Sequence, residues 1–238
     1  ESPSEQILMA RLKINHLTTY HYPRAVRFGE HRLLVRPRDS HDIKLLSSHL
    51  TIMPSAQLRW LHDVFGNSIA IASFEAASTE LRIESEIVVD HYGVNDPAFP
   101  IEPGARALPL SYPSDELPDL RATMTRRRCQ PDEPVAAWAQ SFLATDQPSD
   151  TLATLIAITA AIKRNFTYSA REEEGVQEAA VTLRLGSGSC RDFALLMMEA
   201  ARALGLAARF VTGYLYDPAL DTAANGGSDT VGAGATHA

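Results

Sequence analysis

The sequence predicts an α+β fold in which a β-rich N-terminal half is followed by a helical C-terminal half. Short, partly alternating apolar segments fill the chain up to residue 92, whereas apolar residues at helical spacing dominate from residue 131 onward. A stretch rich in proline and acidic residues separates the two halves, as is typical of a linker. With 45% hydrophobic and 21% charged residues among 238, the chain has enough apolar side chains for a packed core.

The first half is expected to form a β-sandwich domain over residues 9–95. Several short segments at near-regular spacing favour a sandwich, and two apolar runs flank Gly66-Asn67, a dipeptide that favours a hairpin turn. The last of these segments alternates as a half-buried strand does, with apolar residues at Leu81, Ile83, Ile87 and Val89. Residues 1–8 are expected to be a disordered start or a leftover from cloning.

Residues 96–130 are expected to be the linker and residues 131–238 the second domain. One short helix is predicted in PVAAWAQSFLA, and a longer one follows Ser149 or Asp150, either of which can cap its first turn. The longer helix is predicted to bury one face, composed of Leu152, Leu155, Ile156, Thr159 and Ile162. The segment NFTYSA that ends it is expected to be extended.

A further helix is predicted to begin at or near Cys190, directly after the loop GSGS, and to end at Gly205, a residue suited to a left-handed C-cap. Its apolar stripe recurs at helical spacing and comprises Phe193, Leu196, Met197, Ala200, Ala201 and Leu204. A strand is predicted from about Ala208, and a glycine-rich loop follows it.

Composition and motifs argue against several classes of function. The formal net charge of −7 disfavours nucleic acid or an anionic membrane as the partner, and no apolar stretch approaches the roughly 18–20 residues of a membrane span. The N-terminus does not resemble a secretory signal, and Cys129 and Cys190 do not form a disulfide framework, so the protein is expected to be cytoplasmic. No HExxH or CxxC motif occurs, and no metal or cofactor is expected.

Four roles are open to Cys190: packing, metal ligation, redox sensing and nucleophilic catalysis. Its place at a helix start favours catalysis, because unpaired N–H groups and the helix dipole stabilise both a thiolate and an oxyanion there. His237 is the one histidine that shares the C-terminal half with Cys190, so it is the candidate general base. Cys129 is expected to be structural, and a redox role is weakened because no second cysteine lies near Cys190.

Two blocks of the sequence resemble the transglutaminase-like superfamily. The first follows the family pattern G-x-C-x-D-x-A with Gly188, Cys190, Asp192 and Ala194. The second follows R-x-x-G-[IL]-x-A-R-x-V-x-G-Y from Arg202 to Tyr214, and His237-Ala238 matches the start of the family's H-A-W. The β-rich first half is also similar to the N-terminal region that accompanies bacterial members.

The resemblance implies a papain-like core, with helices packed on an antiparallel sheet, and a Cys-His-Asp triad. Cys190 would be the nucleophile and His237 the general base. Tyr168 is the candidate for an assisting aromatic residue at the oxyanion, and the alternative is a tyrosine that only packs in the core or on a strand. Asp192 would act locally, by capping the helix start or pairing with an arginine. In the family the third triad residue lies on a strand after the histidine, past the end of this sequence. The chain is therefore expected to be a truncated form with little or no activity.

The function that this resemblance implies is thiol-dependent acyl transfer on peptide or glutamine amide bonds. Hydrolysis, as in a cysteine protease or amidase, is favoured because bacterial relatives include proteases. Two alternatives stay open: a true transglutaminase that forms isopeptide bonds, and a non-catalytic scaffold that binds peptides. The expected partner is a protein or peptide substrate.

Overall fold

The computed structural model describes residues 8–93, 101–126, 134–170, 175–216 and 236–237. The chain divides into two compact units, Glu1–Phe99 and Pro100–Ala238. The first unit consists of antiparallel sheets and the second is mainly helical, which confirms the predicted α+β class. Residues 1–7 and Cys129 lie outside the described residues, and so do the predictions made for them.

Six strands are described in the first unit: β1 Leu8–Arg27, β2 His31–Arg36, β3 Ile43–Met53, β4 Ala56–His62, β5 Ser68–Phe74 and β6 Ala77–Gly93. One sheet has the strand order β1-β6-β3 and the other β2-β5-β4, and all of these pairings are antiparallel. β1 pairs with β6 over nearly its whole length, and Leu8 lies opposite Gly93. The first strand of the unit is therefore held by the last.

The central strand of each sheet supplies the core of the first unit. On β6 the predicted alternation is present, and the buried apolar side chains are Leu81, Ile83, Ile87 and Val89. On β5 four successive residues, Ile69 to Ala72, are buried, so both faces of this strand are covered. Central strands carry these residues because a neighbouring strand shields each of their edges.

The predicted hairpin at Gly66-Asn67 joins β4 to β5. Gly66 has a φ of +76°, a conformation that glycine adopts without steric strain. The side-chain amide and the N–H of Asn67 donate to the Asp63 carboxylate, and so does the N–H of Phe65, at 2.8–2.9 Å. These bonds favour the charged carboxylate and lower the pKa of Asp63.

Five α-helices are described in the second unit: α1 Leu117–Met124, α2 Pro134–Gln140, α3 Thr151–Asn165, α4 Ala179–Leu185 and α5 Cys190–Ala203. Its strands have two residues each: β7 Ala107–Leu108, β8 Ser149–Asp150, β9 Thr167–Tyr168, β10 Ser187–Gly188, β11 Gly213–Tyr214 and β12 Thr236–His237. β9 pairs with β10 in parallel, whereas β7 pairs with β8, and β11 with β12, antiparallel. The resemblance implies a sheet packed under the helices. In the described ranges of the second unit, the strand pairing consists of these three short pairs. None of the described helices is long and apolar enough to cross a membrane.

Helix α5 lies at the centre of the second unit's core. One buried cluster joins it to α2, α3 and α4, with members that include Val135, Ile158, Ala179 and Leu196. Phe166, which follows α3, makes edge-on ring contacts with Trp138 of α2 and Phe193 of α5, at centroid distances of 6.2 and 5.9 Å. Burial extends beyond the predicted stripe to Leu195 and Met198, because neighbouring elements cover α5 on several sides.

Two details predicted for the second unit are wrong. Ile156 and Thr159 of α3 are exposed although helical spacing predicts both on its buried face, whereas Ile158 is buried. Large apolar residues occur on more than one side of this helix, so periodicity could not determine its rotation. The strand predicted from about Ala208 is also shorter, since the pairing described there is confined to β11.

Part of the segment expected to be a linker, 96–130, packs within the second unit. Leu108 is buried in the core, and the Tyr112 hydroxyl accepts a hydrogen bond from the Ala207 N–H at 2.8 Å. Prolines prevent long helices and central strands in this segment, which gives it the composition of a linker. The apolar residues between the prolines still reach the core, so residues 101–126 are not a free connector.

Candidate active site around Cys190

Cys190 is the first residue of α5, and Ser189 before it is the N-cap. Cys190 is not in a disulfide, and the residue is partly exposed. The N–H groups at the first positions of a helix have no acceptor within the helix, and in α5 these positions are Cys190 and Arg191. The positive end of the helix dipole lies at the same place. Both effects favour a negative charge on or beside Cys190.

Asp192 is completely buried and holds the start of α5 in place. Its Oδ2 accepts hydrogen bonds from the N–H and the hydroxyl of Ser189, at 2.8 and 2.9 Å. The bond from the Ser189 N–H is the one that the third helical residue forms in a capping box. Oδ1 accepts a third bond, from the N–H of Gln177, at 2.7 Å. One carboxylate therefore joins the helix start to the segment that precedes α4.

Gln177 also holds that segment through two side-chain hydrogen bonds. Its side-chain amide donates to the Thr182 hydroxyl of α4 at 2.9 Å and to the Ser187 carbonyl of β10 at 3.1 Å. This role of Gln177 could not be predicted from the sequence, because Gln177 lies 15 residues before Asp192 and no local motif links the two. The one signal of such a partner is chemical: a buried carboxylate needs hydrogen-bond donors, and other segments of the chain must supply them.

Gly188 is required at its position for a steric reason. A Cβ there would lie 2.9 Å from the Cβ of Asp192 and 3.2 Å from its Oδ2. The glycine and the aspartate of the pattern G-x-C-x-D are therefore explained together: the aspartate closes the helix start, and only a glycine leaves room for it. Gly186 has a different role, since its φ of +62° makes it the left-handed C-cap of α4.

Gly188→Ala is expected to lower the free energy of unfolding of the second unit by about 1–3 kcal/mol, because the added methyl group displaces Asp192. Gly104→Ala is the matched control, since a Cβ at that glycine meets nothing within 4 Å. Urea unfolding of both variants measures the difference. Equal stability of the two variants would contradict the steric role of Gly188.

Tyr168 lies beside the loop that leads into α5. In the parallel pair β9–β10 it is the register partner of Gly188, two residues before Cys190. The next residue, Ser169, donates its N–H to the Gly188 carbonyl at 2.9 Å. Tyr168 is 52% exposed. Tyr168 and Asp192 are therefore both placed next to the start of α5.

His237 is located on a different strand pair. Its backbone on β12 lies opposite Gly213 of β11, and Thr236 lies opposite Tyr214. Burial raises the pKa of the Tyr214 phenol, because the ionised form is disfavoured away from water. Among the residues that the structure describes, no group of three or more acidic, histidine or cysteine side chains is placed to hold a metal ion.

The second sequence block stabilises the end of α5. Arg202 donates through Nε and Nη2 to the Ala208 carbonyl at 3.1 and 2.7 Å, and through Nη1 to the Thr125 carbonyl at 2.9 Å. The same Nη1 lies 3.3 Å from a Glu199 carboxylate oxygen, and both side chains are less than a tenth exposed. Gly205, with a φ of +83°, turns the chain after α5, and this turn precedes the segment that carries Ala208.

Comparisons with known proteins cover both units. Residues 12–90 match the bacterial transglutaminase-like N-terminal region, and residues 136–238 match the transglutaminase-like superfamily core. Uncharacterized proteins from Mycobacterium tuberculosis and Mycobacterium bovis are each 29% identical to the chain over 234 residues, which cover 96% of this chain and 72% of theirs.

A solved structure has the same fold. It is that of a candidate cysteine protease from Cytophaga hutchinsonii, and it matches with a TM-score of 0.64 at 19% identity. The match covers 87% of this chain and 70% of the other. The Cys190 block lies inside the region that matches the superfamily core, and the β-rich unit coincides with the bacterial N-terminal region. The chain therefore matches the transglutaminase-like superfamily core in its second unit and the bacterial N-terminal region of that family in its first.

Proposed function

We propose that the protein is a thiol-dependent acyl-transfer enzyme that acts on peptide or glutamine amide bonds, with hydrolysis as its main reaction. The position of Cys190 carries the proposal: a free, partly exposed thiol is the first residue of a helix whose start is fixed by a buried carboxylate. A cysteine that serves only packing needs neither the exposure nor the donors at the helix start.

In the proposed reaction His237 accepts the Cys190 proton, and the thiolate attacks the carbonyl carbon of the amide. A tetrahedral intermediate forms, whose oxyanion accepts a hydrogen bond from the Cys190 N–H. His237 then donates its proton to the leaving amine, and an acyl thioester stays on Cys190. Water attacks the thioester with His237 as the base. The acid product leaves, and the proton returns to the thiol.

The other two candidate residues have supporting roles in this proposal. Tyr168 assists at the oxyanion, which its register opposite Gly188 and its exposure support. Asp192 positions the helix start and does not exchange protons with the substrate, since both of its oxygens already accept hydrogen bonds. A third triad residue, an aspartate, completes the proposal by orienting the His237 imidazole.

Alkylation of Cys190 by iodoacetamide, measured against pH, tests the nucleophile. In a Cys129→Ser background we expect the rate to stay high well below pH 7, because an imidazolium partner and the helix start both favour the thiolate. His237→Ala should remove this plateau. The rates are measured on this chain and on one extended past Ala238, which also tests where the third triad residue lies. A rate that rises only near pH 8.5, as for an ordinary thiol, on both chains would favour the scaffold instead.

A second assay separates hydrolysis from amine transfer. A glutamine-containing peptide is incubated with and without a fluorescent primary amine, and Cys190→Ala serves as the inactive control. Hydrolysis releases the free acid whether or not the amine is present. A transglutaminase attaches the fluorescent amine to the peptide, and such a product would replace hydrolysis as the assigned reaction.

A further inference from the structure

The first unit contains a cleft of about 190 Å³ that the proposed chemistry does not use. Its lining comes from three strands: β1, β2 and β6. In the β1–β6 pairing Ser85 lies opposite His16, and Ile83 lies opposite Thr18, so these four side chains share one face of the sheet. β2 of the second sheet supplies the remaining wall, residues 32–35. The cleft therefore lies between the two sheets.

Ser85 is the unusual residue in this lining. It is 1% exposed, and its hydroxyl has no hydrogen-bond partner. The positions on either side of it along the same face of β6 are Ile83 and Ile87, both buried and apolar. Leaving a buried hydroxyl without a partner is unfavourable, and replacing it by an apolar group of similar size removes that penalty. An unpartnered hydroxyl in the wall of a cleft therefore indicates a place for a hydrogen-bond acceptor.

The remaining polar side chains of the lining fit the same kind of ligand. Thr18, His16 and Arg32 can each donate a hydrogen bond, and Thr18 and His16 also lie 3.2 Å from each other. Arg32 is exposed and brings a positive charge, while no carboxylate is among the lining residues that the structure describes. The rest of the wall is mostly aliphatic. A donor-rich, acid-free and partly aliphatic lining favours an anionic acceptor on a short apolar chain.

We propose that this cleft binds a carboxylate carried by a short aliphatic chain. The carboxylate accepts a hydrogen bond from Ser85 and pairs with Arg32, and the chain lies against the aliphatic wall. The volume corresponds to roughly six water molecules at about 30 Å³ each, which leaves room for an acid of roughly four to six carbons. A free short-chain acid and the C-terminal residue of a peptide share this chemistry. The proposal does not depend on the chemistry at Cys190.

Titration of hexanoate against hexanamide tests the charge requirement. The full chain carries Cys190→Ala, so that no reaction at the thiol interferes, and backbone amide shifts of residues 16–20 and 32–35 report binding. We expect saturable binding of hexanoate, about tenfold or more tighter than that of hexanamide, since hydrogen bonds to a charged acceptor are stronger than neutral ones. A tripeptide that ends in leucine, compared with its C-terminal amide, distinguishes a peptide terminus from a free acid.

Two variants test the assigned contacts. Ser85→Ala is expected to weaken hexanoate binding about tenfold, and Arg32→Gln to remove the preference over hexanamide. Ser73→Ala and Arg59→Gln, at exposed positions outside the lining, are the matched controls and should bind as the parent does. The proposal is overturned if no saturable binding occurs, if the acid and the amide bind equally, or if Ser85→Ala binds unchanged. In the last case the hydroxyl only orders water.

Discussion

Asp192→Ala is expected to lower the free energy of unfolding of the second unit by about 3 kcal/mol or more, because several buried donors lose their acceptor at once. The N–H and hydroxyl of Ser189 and the N–H of Gln177 all bond to this one carboxylate. Each donor left unsatisfied in the interior costs about 1–3 kcal/mol. Local movement of the segment before α4 lets water reach some of these groups and limits the total.

Tryptophan fluorescence can measure the loss of stability in Asp192→Ala for the second unit alone. The chain has two tryptophans, of which Trp60 lies on β4 of the first unit and Trp138 on α2 of the second. A Trp60→Phe background therefore makes urea unfolding report on the second unit alone. This separation matters because a chain of two units does not have to unfold in a single transition.

Asp150→Ala is the matched control for Asp192→Ala. Both aspartates lie at helix starts, but Asp150 is exposed and caps α3 with one bond, to the Ala153 N–H at 2.7 Å. Its loss should cost about 1 kcal/mol. Asp192→Asn keeps the size of the side chain but turns one acceptor into a donor, so it should fall between the two. Equal effects of the two alanine variants would contradict the central role assigned to Asp192.

Arg202→Met is expected to destabilise the second unit by about 3–5 kcal/mol, since it removes from a buried carboxylate the closer of the two guanidinium groups described beside it. Glu199 lies 3.3 Å from the Arg202 guanidinium, and the Arg126 Nε is farther away, at 4.0 Å. The substitution also removes donors from the carbonyls of Thr125 and Ala208. The end of α5 therefore loses its hydrogen bonds to the segments that carry Thr125 and Ala208.

A double variant separates charge from packing in this cluster. Glu199→Gln combined with Arg202→Met removes both charges, and we expect it to recover part of the stability lost in Arg202→Met. The control is Arg164→Met, at an exposed position in the last turn of α3, which should change stability by less than about 0.5 kcal/mol. The stability of all three variants is measured by urea unfolding, with Trp138 fluorescence as the signal. An Arg202→Met protein as stable as Arg164→Met would show that the buried pair does not anchor α5.

Elements with a local chemical cause could be predicted from the sequence. The hairpin at Gly66-Asn67, the cap of α3 and the turn at Gly205 each depend on a few adjacent residues, and each is present. Of the two capping residues that the sequence allows for α3, Ser149 and Asp150, the cap is Asp150. The rotation of α3 could not be predicted, because it depends on which neighbours cover the helix. For the same reason residues 101–126 resembled a linker: proline content reports on the backbone and carries no information on what the intervening apolar residues contact.

The candidate site also has one part that could be predicted from the sequence and one part that could not. The position of Cys190 at a helix start follows from the glycines, the serine and the apolar stripe around it. The partner of Asp192 on the other side of the loop, Gln177, and the closeness of Asp192 to Gly188 are contacts between segments, and no local pattern encodes them. His237 is the candidate base because it is the one histidine that shares the C-terminal half of the sequence with Cys190. Its role, and the geometry of its side chain toward Cys190, stay predictions that the alkylation experiment tests.

The pairing of Leu8 with Gly93 has an evolutionary consequence. The chain enters and leaves the β-rich unit at neighbouring points, so a gene segment that encodes this unit can be joined to another gene, or inserted within one, without stretching its own fold. The stretch that matches the bacterial N-terminal region, residues 12–90, begins on β1 and ends on β6. Such a unit can be acquired, lost or exchanged as a whole, and its sequence can then evolve separately from that of the second unit.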